Sequence, residues 1–513
     1  MSYNRKLLVS GILILGLVVF LAGAEPALAQ ERVLRVRLGS DVVHWDPAKI
    51  FGIENQTVAD HVYNGLVRYD YGNKTNRLIS DLAERWELSA DGKVYTFHLR
   101  KGVKWHKGYG ELTAEDVKFS YERVLDPTTG SRYRGEFKLV EKIEAVDKHT
   151  VRITLRAKYP GFLHKVASYN QGFVISKRAV ADLGDKHATN PIGTGAFIFD
   201  SWSPKNQVVL VANKDYFAGA PKVDRIILRP IPEETTAEIA LQKGEIDIFF
   251  FIGGPEVIKR LSKAPGVVLH RQVANYTINM VLNPTHPPFA NPKVRRALAH
   301  SLNLKAMREV FLEGLKNPPN WILTSNFEES ATDLTEWPYD PDKARALLRE
   351  AGYPNGFKVT FSGLALFPVD KIAVLLADDM RKVGIDTKVE ILERAAFLAV
   401  RTAGTPHIVT TAVTGPPDPD QPLWNLLHSS SFPPGMNTAR YKAIDGLLEA
   451  AQVELDRRKQ LALYRKIQEQ LREDAPIIPL YSDVIFSATR DYVKGFFPDP
   501  QATLWLHGVS LER

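Results

Sequence analysis

Between residues 33 and 38 the apolar Leu34, Val36 and Leu38 alternate with Val33, Arg35 and Arg37, the two-residue period of a strand. Asp46-Pro47 marks a turn after it, and residues 53–66 predict a helix that ends in YNGLVRYD. Asp91-Gly92 is a hairpin signal. Beyond it Tyr95, Phe97 and Leu99 alternate with Thr96, His98 and Arg100, so one face is buried and one is wet. The period then changes: Thr113, with Asp116 three residues later, opens a helix with the apolar stripe Val117, Tyr121 and Val124. Strands follow over 151–155 and at NPIGTGAFIFDSW, VVLVANKDYF and VDRIILRPI, and then a helix over 237–243. Asn291-Pro292 and Asp340-Pro341 each pair a capping residue with a proline at the first helical position. They precede the faces Val294, Ala297, Leu298, Ser301 and Ala344, Leu347, Leu348, Ala351, and Gly352 stops the second. A long helix over 456–474 runs through Leu461, Tyr464 and Leu471, and Pro476 ends it before the strand IIPLY. Helices and strands mix throughout, with no internal repeat and no regular βαβ alternation, which favours α/β or α+β lobes over a barrel.

The first residues break this pattern. Arg5 and Lys6 precede an apolar run over 7–22, and Ala27-Leu28-Ala29 is a small-x-small cleavage site that leaves Gln30 as the new N-terminus. An uncleaved anchor is the alternative, since the run is nearly long enough to span a bilayer. No later stretch is, so the expectation is an exported, soluble chain in the periplasm or outside the cell. At 513 residues and 44% hydrophobic, the chain is long enough for about three domains. It has no cysteine, which removes disulfides, thiolate metal sites, cysteine nucleophiles and a lipidated N-terminal cysteine. The net charge of +7 is mild and includes no basic block of nucleic-acid type.

Catalytic motifs are missing. There is no G-x-S-x-G, no H-E-x-x-H, no Walker loop and no EF-hand pattern. GTGAFI offers G-x-G without a third glycine and between strands, which reads as a turn. The 13 histidines are scattered, and the nearest pair, His98 and His106, lacks a chelating spacing. No cofactor and no metal is expected.

The segments YNGLVRYD, LAERWELSADGKVYTFHLRKGVKWHKG and TAEDVKFSYERVLDP closely resemble the extracellular solute-binding proteins, family 5, that serve peptide, opine and nickel ABC importers. The likeness continues in order through NPIGTGAF, LVANKDYFAGAPKVDRI, KVRRALAHSLN, DPDKARALLREAGYPNGF and EDAPIIPLY. The resemblance implies an α/β, two-lobed, type II periplasmic-binding-protein-like fold, its first lobe split and carrying a small inserted domain. The expected segments are a signal peptide at 1–29, the first lobe at 30–66, 189–273 and 484–513, the inserted domain at 67–188, and the second lobe at 274–483. It also implies a monomeric receptor, unanchored once mature, that closes on a peptide or other small solute and delivers it to an inner-membrane ABC permease. Hinge closure of a cleft needs no nucleophile, which suits the missing motifs.

By the same resemblance the ligand is enclosed by Asp41, Val42, Val43 and His44 of an early loop, by Tyr133, and by Thr411, Asn437 and Tyr481. Trp45 reads equally as packing, and Trp424 as a stacking plate or a core residue. Peptide-binding relatives hold the ligand ammonium with an aspartate after a glycine-tryptophan pair. Here Val413 stands at the tryptophan position and Pro416 at the aspartate position, while Asp418, two residues displaced, either takes that role or belongs to an Asp-Pro turn. No arginine stands in SGLALFPVDK, where dipeptide receptors hold the ligand carboxylate. Arg394 and Arg401 are candidates for an anionic ligand group, or else exposed helix arginines. These departures leave open a peptide, an opine, a glycoside or another organic anion. An exported hydrolase, or a sensor or chaperone partner of the same architecture, is the reading from another class.

Overall fold

Two long strands, Val267–Leu282 and Ile477–Arg490, run antiparallel through the middle of the molecule and decide its layout. On one side Ile248–Ile252 pairs with Ile477–Arg490, followed by Val33–Leu38, Arg225–Pro230, Gln207–Ala212 and Phe197–Ser203. On the other Ile408–Thr411 pairs with Val267–Leu282, followed by Phe357–Leu364 and Ile385–Leu392. Among the described residues these ten strands form one sheet. The computed structural model describes residues 31–70, 77–365, 368–412 and 418–512. The stretch read as an export signal lies outside them.

Burial divides the chain into separate cores. Leu34, Val36, Phe197, Ile226 and Leu228 pack in one. Met280, Phe361, Ile372, Ile408 and Leu480 pack in another, covered by the helices Pro292–Ser301 and Val369–Arg381. A third core belongs to an antiparallel sheet of Ala83–Leu88, Val94–Leu99, Thr150–Leu155 and Val140–Asp147, where Tyr95 and Phe97 meet Val117 and Tyr121 of the helix Ala114–Leu125. In the long pair the register shifts between Val273 and Thr277 and again between Ile278 and Asn279. Each shift leaves residues without a ladder partner and bends the strand.

The end signals read from sequence are built as hydrogen bonds. Thr113 and Asp116 close a reciprocal capping box. Asn291 Oδ1 accepts the Lys293 amide, and Asp340 Oδ1 accepts that of Lys343, each at 2.9 Å. The helix expected over 456–474 is Arg457–Asp474, with Asp456 as a cap not read from the sequence.

The helix expected over 53–66 stops earlier, as Ile53–Val62. Asn64–Gly65 leaves it to pair with Phe173–Val174, because the Asn64 amide donates to both oxygens of buried Asp81 at 3.0 and 3.1 Å. The G-x-G of GTGAFI is a close-approach device: a Cβ on Gly193 would lie 1.8 Å from the Val62 carbonyl oxygen, and one on Gly195 2.3 Å from that of His61. No described helix is long and apolar enough to cross a membrane.

Candidate functional site

Parallel strands deliver their carboxyl ends to one edge of a sheet, where the following loops diverge and leave a crevice. Ile248–Ile252 runs parallel to Val33–Leu38, and Phe357–Leu364 runs parallel to Ile385–Leu392 and Ile408–Thr411. Phe251, Ile252, Leu364 and Thr411, at the ends of these strands, line a cleft of about 530 Å3. The long pair supplies its floor through Tyr276, Ile278, Tyr481 and Asp483. The helix Arg394–Ala403 supplies a wall with Arg394, Phe397, Leu398 and Arg401.

The polar groups of the cleft differ in whether they are already satisfied. Asp483 is: one carboxylate oxygen accepts the Tyr276 hydroxyl at 2.8 Å, and the other takes the Val484 amide and pairs with the Lys316 ammonium. Burial, reinforced by the Asp483 charge, holds the phenols of Tyr276 and Tyr481 well above their ordinary pKa, so both stay neutral. Thr411 Oγ1 is buried without a partner. Arg401 is half-buried and burial lowers its pKa. Neither it nor exposed Arg394 makes a hydrogen bond or ion pair with a described residue. A buried hydroxyl and a partly desolvated guanidinium, both unpartnered, are groups that a ligand satisfies.

Of the residues singled out from sequence, Arg394, Arg401, Thr411 and Tyr481 therefore share this cleft. The other described ones do not line it. Asp41 turns its carboxylate onto the amides of Val42 and Lys205, at 2.9 and 2.6 Å. Val42 and Trp45 are buried in the core around Leu34, so the tryptophan packs. Val43 is 65% exposed, and its amide donates to Asn55 Oδ1 at 2.7 Å. His44 Nδ1 is buried without a partner, and burial lowers the imidazole pKa.

Tyr133 is half-buried and does not line this cleft: it packs against two cores and donates its hydroxyl to the Ile50 carbonyl at 2.5 Å. Asp418 is fully buried. One oxygen accepts the Asp420 amide at 3.0 Å, which supports the turn reading, while the other meets the Lys165 ammonium at 2.8 Å. Burial opposes ionisation of Asp418, but the Lys165 and His164 charges outweigh it and hold the carboxyl below its usual range. Trp424 stacks on His428 with ring centroids 3.7 Å apart. Asn437 donates both amide protons to the carbonyls of His428 and Tyr441, at 3.0 and 2.8 Å. Val413 lies outside the described residues.

Sequence reasoning missed Phe251, Tyr276, Lys316 and Asp483. One signal for Asp483 was present, a carboxylate inside the otherwise uncharged run IIPLYSDVIFSAT.

Three comparisons bear on the site. Residues 77–433 match the family model of bacterial extracellular solute-binding proteins, family 5 Middle. The chain is 32% identical over 530 aligned positions to the glutathione-binding protein GsiB of Pectobacterium atrosepticum, covering 100% of this chain and 99% of the relative. Among solved structures it is similar to the periplasmic binding protein DppA of Helicobacter pylori in complex with the peptide STSA, at 31% identity and a TM-score of 0.79, over 94% of this chain and 99% of that one. It is equally similar to the binding protein MoaA from A.tumefacien R10 in complex with mannopinic acid, at 31% identity and a TM-score of 0.78, over 94% and 100%.

Proposed function

Because the chain belongs to the bacterial extracellular solute-binding proteins of family 5, we propose that it is the periplasmic substrate-binding component of an ABC importer. It captures a peptide-like solute between its lobes and presents the closed form to an inner-membrane permease. The observation that carries this is the cleft itself, which draws walls from both ends of a shared sheet and holds unpartnered Thr411 and Arg401. Its work is binding without turnover. Purified chain mixed with a broad peptide library tests it: bound solutes raise the melting temperature, because a ligand held only by the native state adds stability, and mass spectrometry recovers them unaltered. A solute that emerges cleaved would establish the hydrolase reading instead.

The register shifts between Val273 and Asn279 support a hinge there, between a first lobe of 30–66, 189–273 and 484–513 and a second of 274–483. A separate core and sheet support an inserted domain at 67–188. Cleavage after Ala29 releases a monomer with no tether. A non-peptide solute, such as an opine or another organic anion, is the second reading, favoured by the similarity to the mannopinic-acid complex and by the cationic wall of the cleft.

A further inference from the structure

Charges lining the cleft do not balance. Its described cations are Lys316, Arg394 and Arg401, and its one described carboxylate is Asp483, already engaged by Lys316 and Tyr276. The undescribed stretches that follow Ala365 and Ala412 in the chain, Leu366-Phe367 and Val413-Thr414-Gly415-Pro416-Pro417, contain no acid. Asp418, the next carboxylate along the chain, is neutralised by Lys165.

The two unpaired arginines are also ordered in space. Arg394, Phe397, Leu398 and Arg401 fall at i, i+3, i+4 and i+7 of one helix, so they form a single stripe with a cation at each end and apolar side chains between. Seven residues at the α-helical rise separate the two Cα atoms by about 10 Å along the axis. Arg394 opens this helix, the end at which the backbone dipole disfavours a cation; the acid at that end is the N-cap Glu393, whose side chain makes no capping hydrogen bond and does not line the cleft. Arg401 is partly desolvated with nothing to pair with. Neither placement helps the empty protein, and both are relieved by an anion.

Resting on the solute-binding reading of this cleft, we propose that the solute is an elongated organic dianion. It is a peptide-like chain with a carboxylate at each end and an apolar middle lying on Phe397 and Leu398, and it brings no free ammonium into the cleft. An ammonium there would be desolvated beside uncompensated guanidinium groups, with no free carboxylate to receive it.

The test compares adipate, suberate and sebacate, their monomethyl esters, a free dipeptide and the same dipeptide N-acetylated, by melting temperature and calorimetric titration. The expected order puts suberate or sebacate above its monoester, and the acetylated dipeptide above the free one. Arg401→Gln and Arg394→Gln should each weaken dicarboxylate binding roughly 10- to 100-fold, the range for losing one charge-assisted contact. Both variants should keep the melting temperature of the unliganded chain, since neither arginine has a protein partner to lose. Equal or tighter binding of the free dipeptide, or an unchanged affinity in Arg401→Gln, would overturn the dianion while leaving the receptor intact. If neither this series nor a broad peptide and sugar library changes melting, the solute-binding reading of the cleft falls with it.

Discussion

The Lys165 ammonium lies 2.8 Å from Asp418, a carboxylate 253 residues further along the chain, and 2.7 Å from Glu136. Lys165 and Glu136 stand in the stretch that carries the antiparallel four-stranded sheet, whereas Asp418 follows the cleft strand Ile408–Thr411. Both members of the pair are buried. An ion pair in that setting fastens two parts of the molecule that, among the described residues, no strand pairing joins.

Removing one partner leaves an uncompensated buried charge. Lys165→Met and Asp418→Asn should each cost about 3–5 kcal/mol, measured by urea unfolding. The double variant should cost well under the sum of the two. Additive losses would mean that the two charges do not stabilise one another.

Acid strength gives a second expectation. Burial pushes Asp499 up to about 7, and burial together with the Asp418 charge does the same to Asp420. An unfolded aspartate titrates near 3.9, so the native state binds these protons more tightly. Their stabilisation is whole below about pH 4 and is lost as pH rises through about 7. Asp499→Asn removes its share, so melting curves from about pH 5 to 8 should show the variant gaining on the native chain as pH rises. Asp46 acts in the opposite sense. Burial opposes its ionisation, but His187 and the bidentate Arg123, at 2.6 and 2.7 Å, prevail and depress its pKa. That stabilisation is present above the ordinary aspartate range and fades on acidification.

Gly193→Ala drives a methyl into the Val62 carbonyl and should destabilise by about 1–3 kcal/mol, as overpacking does. Gly446, in the helix Asp445–Val453, has open space around it, so Gly446→Ala should instead stabilise by about 0.5–1 kcal/mol. Urea midpoints moving in opposite directions would support both.

Lys316→Met uncovers the Asp483 carboxylate and replaces a cation of the cleft by a free anion. Dicarboxylate affinity should fall about 10-fold or more, through repulsion between the uncovered carboxylate and the anionic solute at about 10 Å, and a free dipeptide should gain. Calorimetric titration of both ligands reads the exchange.

What could be read in the sequence was local. Caps at Thr113, Asn291 and Asp340, the Asp91-Gly92 hairpin and the alternation around Phe97 each depend on residues within a few positions, and each is built as the pattern implies. Partners set by the folded chain were not legible. Nothing near Lys165 points to Asp418, and nothing near Tyr133 to the Ile50 carbonyl. The helix after Ile53 was read too long because Asp81, which draws Asn64 out of it, lies 17 residues away. Of the site, Arg394 and Arg401 were singled out from sequence, but not the stripe they form with Phe397 and Leu398; Tyr276 reaches Asp483 through the pairing of the long strands, and Lys316 through the bridge between Asn317 and Ser482.

On the proposed division into two lobes, Val267–Leu282 and Ile477–Arg490 carry residues of both within one ladder, so the lobes are joined by a twisted ribbon. Relative rotation of the halves must then appear as torsion of that ribbon, concentrated where the ladder slips between Val273 and Asn279. Twist is the deformation such a ribbon admits without breaking its ladder, so the proposed closure would run as a swing about its length.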